Sequence, residues 1–144
     1  MSSALKFSEA FALGLHATAL IAKHDGEKIS VTFIAKELGG SVAHLQKVLQ
    51  RLGKAGIISS TRGPKGGYLL AKKAADIKML DIFEIIEGKI QFCNCVFDAN
   101  FCNSTICLLG PLTSKVNREI FDHFSKTTIA ELIKKLPTPH IETT

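Results

Sequence analysis

No apolar run in this chain approaches the roughly 20 residues needed to span a bilayer. The opening Met1-Ser2-Ser3-Ala4-Leu5-Lys6 lacks the charged and apolar regions of a secretory signal. A cytoplasmic protein with no membrane partner is the expectation. Catalytic signatures are missing too: no Ser-His-Asp arrangement stands out, and no pair of carboxylates sits in a plausible pocket. A thiol oxidoreductase would want Cys-x-x-Cys at a helix start within a βαβ pattern, and the chain has neither. The reading is therefore not an enzyme. A Walker phosphate loop fails on spacing, because it demands Ser or Thr directly after its Lys, whereas Gly66 and Gly67 follow Lys65. Internal repeats and low-complexity segments are absent as well.

The most informative stretch present is Thr61-Arg62-Gly63-Pro64-Lys65-Gly66-Gly67-Tyr68, a glycine-rich basic turn. Ile57 and Ile58 precede it and Leu69, Leu70 and Ala71 follow, so strand material flanks a turn whose Gly and Pro supply unusual backbone angles. This pattern suits the wing of a DNA-binding domain. The 144 residues give room for one core plus accessory helices. Lys and Arg number 18 against 13 Asp and Glu, a formal charge of +5 that permits nucleic-acid binding without proving it.

Helical periodicity occupies most of the rest. Phe7, Phe11 and Leu15 recur every four residues in a first helix from Ser8 to about His24. Ser30 caps a short helix over 31–38, with Ile29 stapled against Ile34. Gly39-Gly40 breaks it, and Ser41 caps a further helix with Val42, Leu45, Val48, Leu49 and Leu52 on one face. Two helices joined by a tight glycine turn are a helix-turn-helix. The second is the recognition helix, with His44, Gln46, Lys47, Gln50 and Arg51 facing outward; the bland alternative is a solvated face. A buttressing helix is expected from Asp76 to Glu87, ended at Gly88. Leu112, Val116, Ile120 and Phe124 mark another, and Thr128 with Glu131 forms a capping box for the last. The resulting class is mainly α with a small β-hairpin wing. Its expected divisions are a DNA-binding domain 1–88, a cysteine segment 89–110, dimerisation helices 111–136 and a frayed tail 137–144. The C-terminal helices are expected outside the DNA-binding unit, with apolar faces that need a partner, which points to a symmetric homodimer.

Cys93, Cys95, Cys102 and Cys107 follow a C-x-C-x6-C-x4-C spacing. Thiolates so grouped suit an iron-sulfur cluster or another soft metal centre. Zinc is less well matched, because the paired knuckles of zinc ribbons are missing. Four unligated thiols are the alternative.

The runs Ile34-Ala35-Lys36-Glu37-Leu38, Leu45 to Leu52, Lys54-Ala55-Gly56-Ile57-Ile58, Arg62 to Leu70 and Ile82 to Gly88 resemble the Rrf-two family of bacterial transcription regulators. The resemblance covers about residues 5–90 and is most specific at Arg-Gly-Pro-x-Gly-Gly-Tyr. It implies a dimeric winged helix-turn-helix protein with a long C-terminal dimerisation helix and a double-stranded DNA operator as partner. Arg62 matches the family's wing arginine that enters the minor groove, where a guanidinium reads shape. Ala43, Gln46 and Lys47 match positions that face base edges. Gln46 could pair with adenine and Lys47 with guanine or phosphate. The DNA-binding set so expected is Ser41, Ala43, His44, Gln46, Lys47, Arg51, Arg62, Lys65, Gly66 and Tyr68.

Cluster-binding members carry three cysteines in this region, which implies a 2Fe-2S or 4Fe-4S centre sensing cluster, redox or nitric oxide status. Cys95, Cys102 and Cys107 fit the family's intervals better than Cys93 does, and Cys93 could complete four-thiolate ligation. A histidine ligand of some members is absent, Gly110 standing at its position. Others use an acid of the first helix; Glu9 lies one position from that alignment and also suits a first helical turn. His16 reads as an ordinary, partly buried histidine. A cluster-free regulator using thiol or zinc chemistry, or a protein partner, is the alternative within the same family.

Overall fold

The computed structural model describes residues 3–92, 109 and 111–136. Six helices and one hairpin follow in the order α1 (Glu9–Lys23), α2 (Val31–Leu38), α3 (Val42–Lys54), β1 (Ile58–Thr61), β2 (Gly67–Leu70), α4 (Met79–Glu87), α5 (Leu112–Lys126) and α6 (Ile129–Ile133). Hydroxyl caps start the first three helices. Ser8 Oγ accepts from Phe11 N at 3.0 Å, Ser30 Oγ from Phe33 N at 3.2 Å and Ser41 Oγ from His44 N at 3.4 Å. Each satisfies a donor the helix leaves unpaired. Glu9 in the first turn and Lys23 in the last complement the dipole of α1. Gly39 ends α2 in the left-handed region at φ 68°, and Gly40 N donates back to Ala35 O at 3.1 Å.

Helix α1 lies at the centre, packed against α2, α3, α4, β2 and α6. The core joins Ala17 and Ile21 of α1, Ile34 of α2, Leu45, Leu49 and Leu52 of α3, Ile58 of β1 and Ile82 of α4. Thr18, fully buried within it, donates its hydroxyl proton to Gly14 O at 2.7 Å and so leaves no stranded polar group.

The hairpin pairs antiparallel with Ile58 opposite Leu70 and Thr61 opposite Gly67. Its second strand gains a rung on the other edge. Tyr68 N donates to Ile29 O at 2.9 Å and Ile29 N to Tyr68 O at 3.2 Å, which stitches the wing to the segment before α2. The tip is a tight turn in which Gly63 adopts φ 104° and Gly66 N donates to Gly63 O at 2.9 Å. A Cβ at Gly66 would overlap Thr61 O, so the turn closes only without a side chain there.

Helix α4 starts at Met79, later than the expected Asp76. Residues Ala74–Asp76 form a 3-10 turn, and Ile77 and Lys78 are extended. The cause is a tertiary pairing: Met79 N donates to Thr127 O at 2.9 Å, and Ile129 N donates to Ile77 O at 2.8 Å. Asp81 Oδ2 then accepts from Lys78 N at 2.8 Å and starts the helix. The capping box expected at Thr128 and Glu131 is formed in both directions.

That pairing also corrects the expectation that the C-terminal helices lie outside the DNA-binding unit. Helix α6 packs along α1, and Ile129 is fully buried in the shared core. Phe7, Phe11, Phe83 and Phe124 form a ring cluster with centroids 5.1–6.4 Å apart, which holds the end of α5 against α1 and α4. The rest of α5 is loosely covered, with Phe124 its one buried residue. Ile129→Ala is expected to lower the unfolding free energy by about 2–5 kcal/mol in a single urea transition monitored by circular dichroism. A loss below about 1 kcal/mol, or a separate early transition, would place α6 outside this core.

Candidate nucleic-acid interface

Packing sets which face of α3 meets solvent. Leu45, Val48, Leu49 and Leu52 are at most 2% exposed. At about 100° per residue the side opposite this stripe belongs to Ala43, Lys47, Gln50 and Lys54, with Gln46 at its edge, and all five are exposed. Ser41, also exposed, sits at the helix start, where its hydroxyl caps and the first amides point outward. Lys54 was missed in the sequence because it falls in the last turn, next to the glycine-rich connection; its spacing of seven from Lys47 was the available signal.

Two expected members leave this face. His44 and Arg51 stand seven residues apart, two turns, on the flank across from Gln46, and what sets them apart is that each side chain engages another helix. His44 Nδ1 lies 3.8 Å from a Glu9 carboxylate oxygen of α1, an ion pair when the imidazole is protonated. Arg51 Nη2 donates to Ile85 O at 2.9 Å and to Ile86 O at 2.8 Å, at the end of α4. The guanidinium expected on DNA is thus engaged within the protein. Glu9, the weak ligand candidate, has His44 as its neighbour. His16 is exposed rather than partly buried, its Nδ1 donating to Ala12 O at 2.7 Å.

In the wing, Arg62 and Lys65 are exposed at the turn. Gly66 and Tyr68 belong to its frame: Gly66 closes the turn, and Tyr68 pairs with Ile29 through its backbone and packs partly buried against the core. The turn also borders a groove of about 390 Å³ lined by Lys28, Ser30, Pro64 and Lys65, among others, which places Lys28 near the wing's cation. Among the described residues, Lys47, Lys54, Arg62 and Lys65 have no ion-pair partner, so their charge is available to an anion.

Cys93, Cys95, Cys102, Cys107 and Gly110 lie outside the described residues, as does the tail after 136. Among the described residues no group of three His, Cys, Asp or Glu gathers to hold a metal. The approach to the cysteines is anchored: the Phe92 ring packs edge-on to Phe121 at 5.2 Å, with Arg118 Cζ 5.4 Å from its centroid. Asn117 Nδ2 donates to Gln91 O at 3.5 Å, a long bond that reinforces the same docking. No described helix is long and apolar enough to cross a membrane.

A helix-turn-helix followed by a basic hairpin is the frame on which the comparisons with known proteins bear. The model of the family Rrf2, described as an iron-dependent transcriptional regulator, matches residues 7–135. Protein rrf2 of Nitratidesulfovibrio vulgaris is 33% identical over 116 residues, covering 79% of this chain and 77% of that protein. Among solved structures, CymR (YrzC), the global cysteine regulator of B. subtilis, superposes with a TM-score of 0.77 at 25% identity, over 92% of this chain and 99% of that one. T. potens IscR does so with a TM-score of 0.73 at 30% identity, over 92% and 88%. These relatives are regulators rather than enzymes, and a hairpin wing beside a helix-turn-helix is their common architecture. The chain belongs to the Rrf2 family of DNA-binding transcription regulators.

Proposed function

We propose that the protein is a homodimeric regulator that reads an operator through α3 and the wing, and that the state of its cysteine segment sets its affinity for DNA. The observation that supports this most directly is the union of two surfaces on one core. Exposed Ala43, Gln46 and Lys47 face out from α3, and exposed Arg62 and Lys65 cap a hairpin whose base is tied to the segment before α2. In this reading α3 enters the major groove, where Gln46 and Lys47 meet base edges or phosphate. Ser41 and the first amides of α3 meet the backbone, and Arg62 enters the minor groove. Gly66 and Tyr68 hold the wing in shape.

The dimer reading is supported by an uncovered apolar groove of about 620 Å³ between α1 and α5, lined by Leu5, Phe7, Phe11, Leu15, Ile120 and Phe124. Leu5, Phe7 and Leu112 are 48%, 43% and 54% exposed, more than a small protein leaves open without a partner. A second copy presenting α5 would cover this face and set the spacing of two recognition helices on two half-sites. Light scattering is expected to give twice the chain mass, and Leu112→Glu to shift the population toward monomer.

For the signal, the donor chemistry of four cysteines fits an iron-sulfur cluster, 2Fe-2S or 4Fe-4S, held by Cys95, Cys102 and Cys107 with Cys93 as the fourth thiolate. Glu9 is the weaker fourth donor, because His44 already neighbours its carboxylate. When bound, such a cluster supplies sensitivity to oxidants and nitric oxide. The chain's own part is mechanical: Phe92 and Gln91 hold the near end of the cysteine segment on α5, so a change in that segment bears on the helix proposed to form the dimer. Anaerobically isolated protein is expected to contain iron and acid-labile sulfide and to lose operator affinity, or gain it, when the chromophore is bleached. A colourless protein that stays free of both after reconstitution would sink the cluster reading and leave the second one. That second reading, thiol, zinc or protein-partner control, is favoured by the likeness to CymR.

For DNA, Arg62→Ala is expected to weaken operator binding by about tenfold or more. Lys65→Ala should chiefly lower the salt slope, by up to about one unit. Salt-dependent gel shifts unaffected by either change would remove the wing from the interface.

A further inference from the structure

Arg51 stands exposed on the reader helix, yet its guanidinium turns back onto the end of α4. Its Nη2 donates to Ile85 O and Ile86 O at 2.9 and 2.8 Å. These carbonyls need a donor from elsewhere, since the last four carbonyls of a helix have no intrahelical partner and Gly88 N takes only Glu84 O. They also carry the negative end of the helix dipole, which a guanidinium complements. The seam beneath is tight: a Cβ at Gly14 of α1 would overlap Ile86 Cδ1 of α4 and lie 3.3 Å from Val48 Cγ1 of α3, so three helices meet at one point. One residue beyond Ile86, Glu87 accepts a hydrogen bond from Ser8 Oγ at the start of α1. The chain then continues through Gly88 to Phe92, docked on α5.

We infer that Arg51 is a positioning residue that clamps the recognition helix to the end of α4 and thereby sets the pitch at which α3 enters the groove, without touching DNA itself. The inference rests on the reading of α3 as the DNA reader. It departs from what a basic residue on such a helix suggests, namely a phosphate contact. The two roles make opposite claims about salt. A phosphate contact contributes to counterion release for any sequence, whereas a clamp affects only complexes that need α3 at one angle. The clamp also links DNA reading to the connection leading toward the cysteines, since the carbonyls it holds lie just before that connection.

The test starts from a duplex that the wild-type protein selects from a random-sequence library, paired with a scrambled duplex of equal length. Affinity for both is measured over a range of salt for wild type, Arg51→Gln and Arg51→Lys. The expected result for R51Q is a tenfold or greater fall in the ratio of selected to scrambled affinity, with scrambled affinity and salt slope unchanged. R51K, which keeps the charge but not the planar fork, is expected to recover part of the ratio. Should R51Q fail to fold, R51K carries the comparison, its expected partial loss of selectivity at unchanged slope being read alone. A salt slope lowered by about one unit in R51Q, with both affinities falling together, would make Arg51 a phosphate contact and overturn the clamp. Full selectivity in R51Q or, in its absence, R51K would overturn it equally. A wild-type protein that selects no duplex would remove the reading of α3 and the wing itself, an outcome distinct from either.

Discussion

The burial of one stripe on α3 is the constraint from which the rest of the interface follows. Leu45, Val48, Leu49 and Leu52 are almost completely removed from water, and turning the helix by one residue would rotate it by about 100°. Such a turn would bring polar side chains such as Gln46 and Gln50 toward the core and push leucines into solvent. Each buried leucine contributes about 1.5–3 kcal/mol through burial alone, so the rotational setting of α3 is strongly held. The composition of its outer face is then a geometric result: whatever the sequence places opposite that stripe is what a groove would meet.

A second constraint acts at the far end of the chain. The exchange of backbone hydrogen bonds between Ile77–Met79 and Thr127–Ile129 brings the junction of α5 and α6 against the start of α4, while four phenylalanines lock the end of α5 to α1 and α4. The other end of α5 begins at exposed Leu112, and its middle carries Asn117, Arg118 and Phe121 against the segment that leads to the cysteines. One end of this helix is therefore built into the core while its middle bears the approach to the cysteine segment. A long element fixed at one end converts small displacements near its middle into larger ones at its tip.

Local chemistry was legible in the amino-acid order. Ser8, Ser30 and Ser41 start helices as their hydroxyls predict, Thr128 and Glu131 form their box, and α2 spans 31–38 as its capping residue and terminal glycines imply. The wing could be read because its glycines are demanded by a turn that no other residue closes. What escaped depends on neighbours remote in sequence. Ile77 and Lys78 look helical in isolation and are drawn out by a strand-like partner fifty residues later. His44 and Arg51 look outward-facing because a periodicity argument separates apolar from polar but cannot see which polar side chains will find Glu9 or an unpaired helix end. The cysteines are the opposite case: their number and spacing speak to ligand chemistry, yet they fall outside the residues whose placement is described.

The rung between Ile29 and Tyr68 bears on what kinds of duplex this protein tolerates. With its base sewn to the stem of α2, the hairpin cannot pivot as a body, and compliance is left to residues 62–66 at the apex. In the proposed complex, a guanidinium on so short a tether would adapt to a groove that is slightly wider or narrower, but would not follow a site displaced along the axis. Within that complex, shape at the outer edge of each half-site would thus be tolerated within limits, whereas a base pair inserted between the positions read by helix and apex would be rejected by the backbone itself.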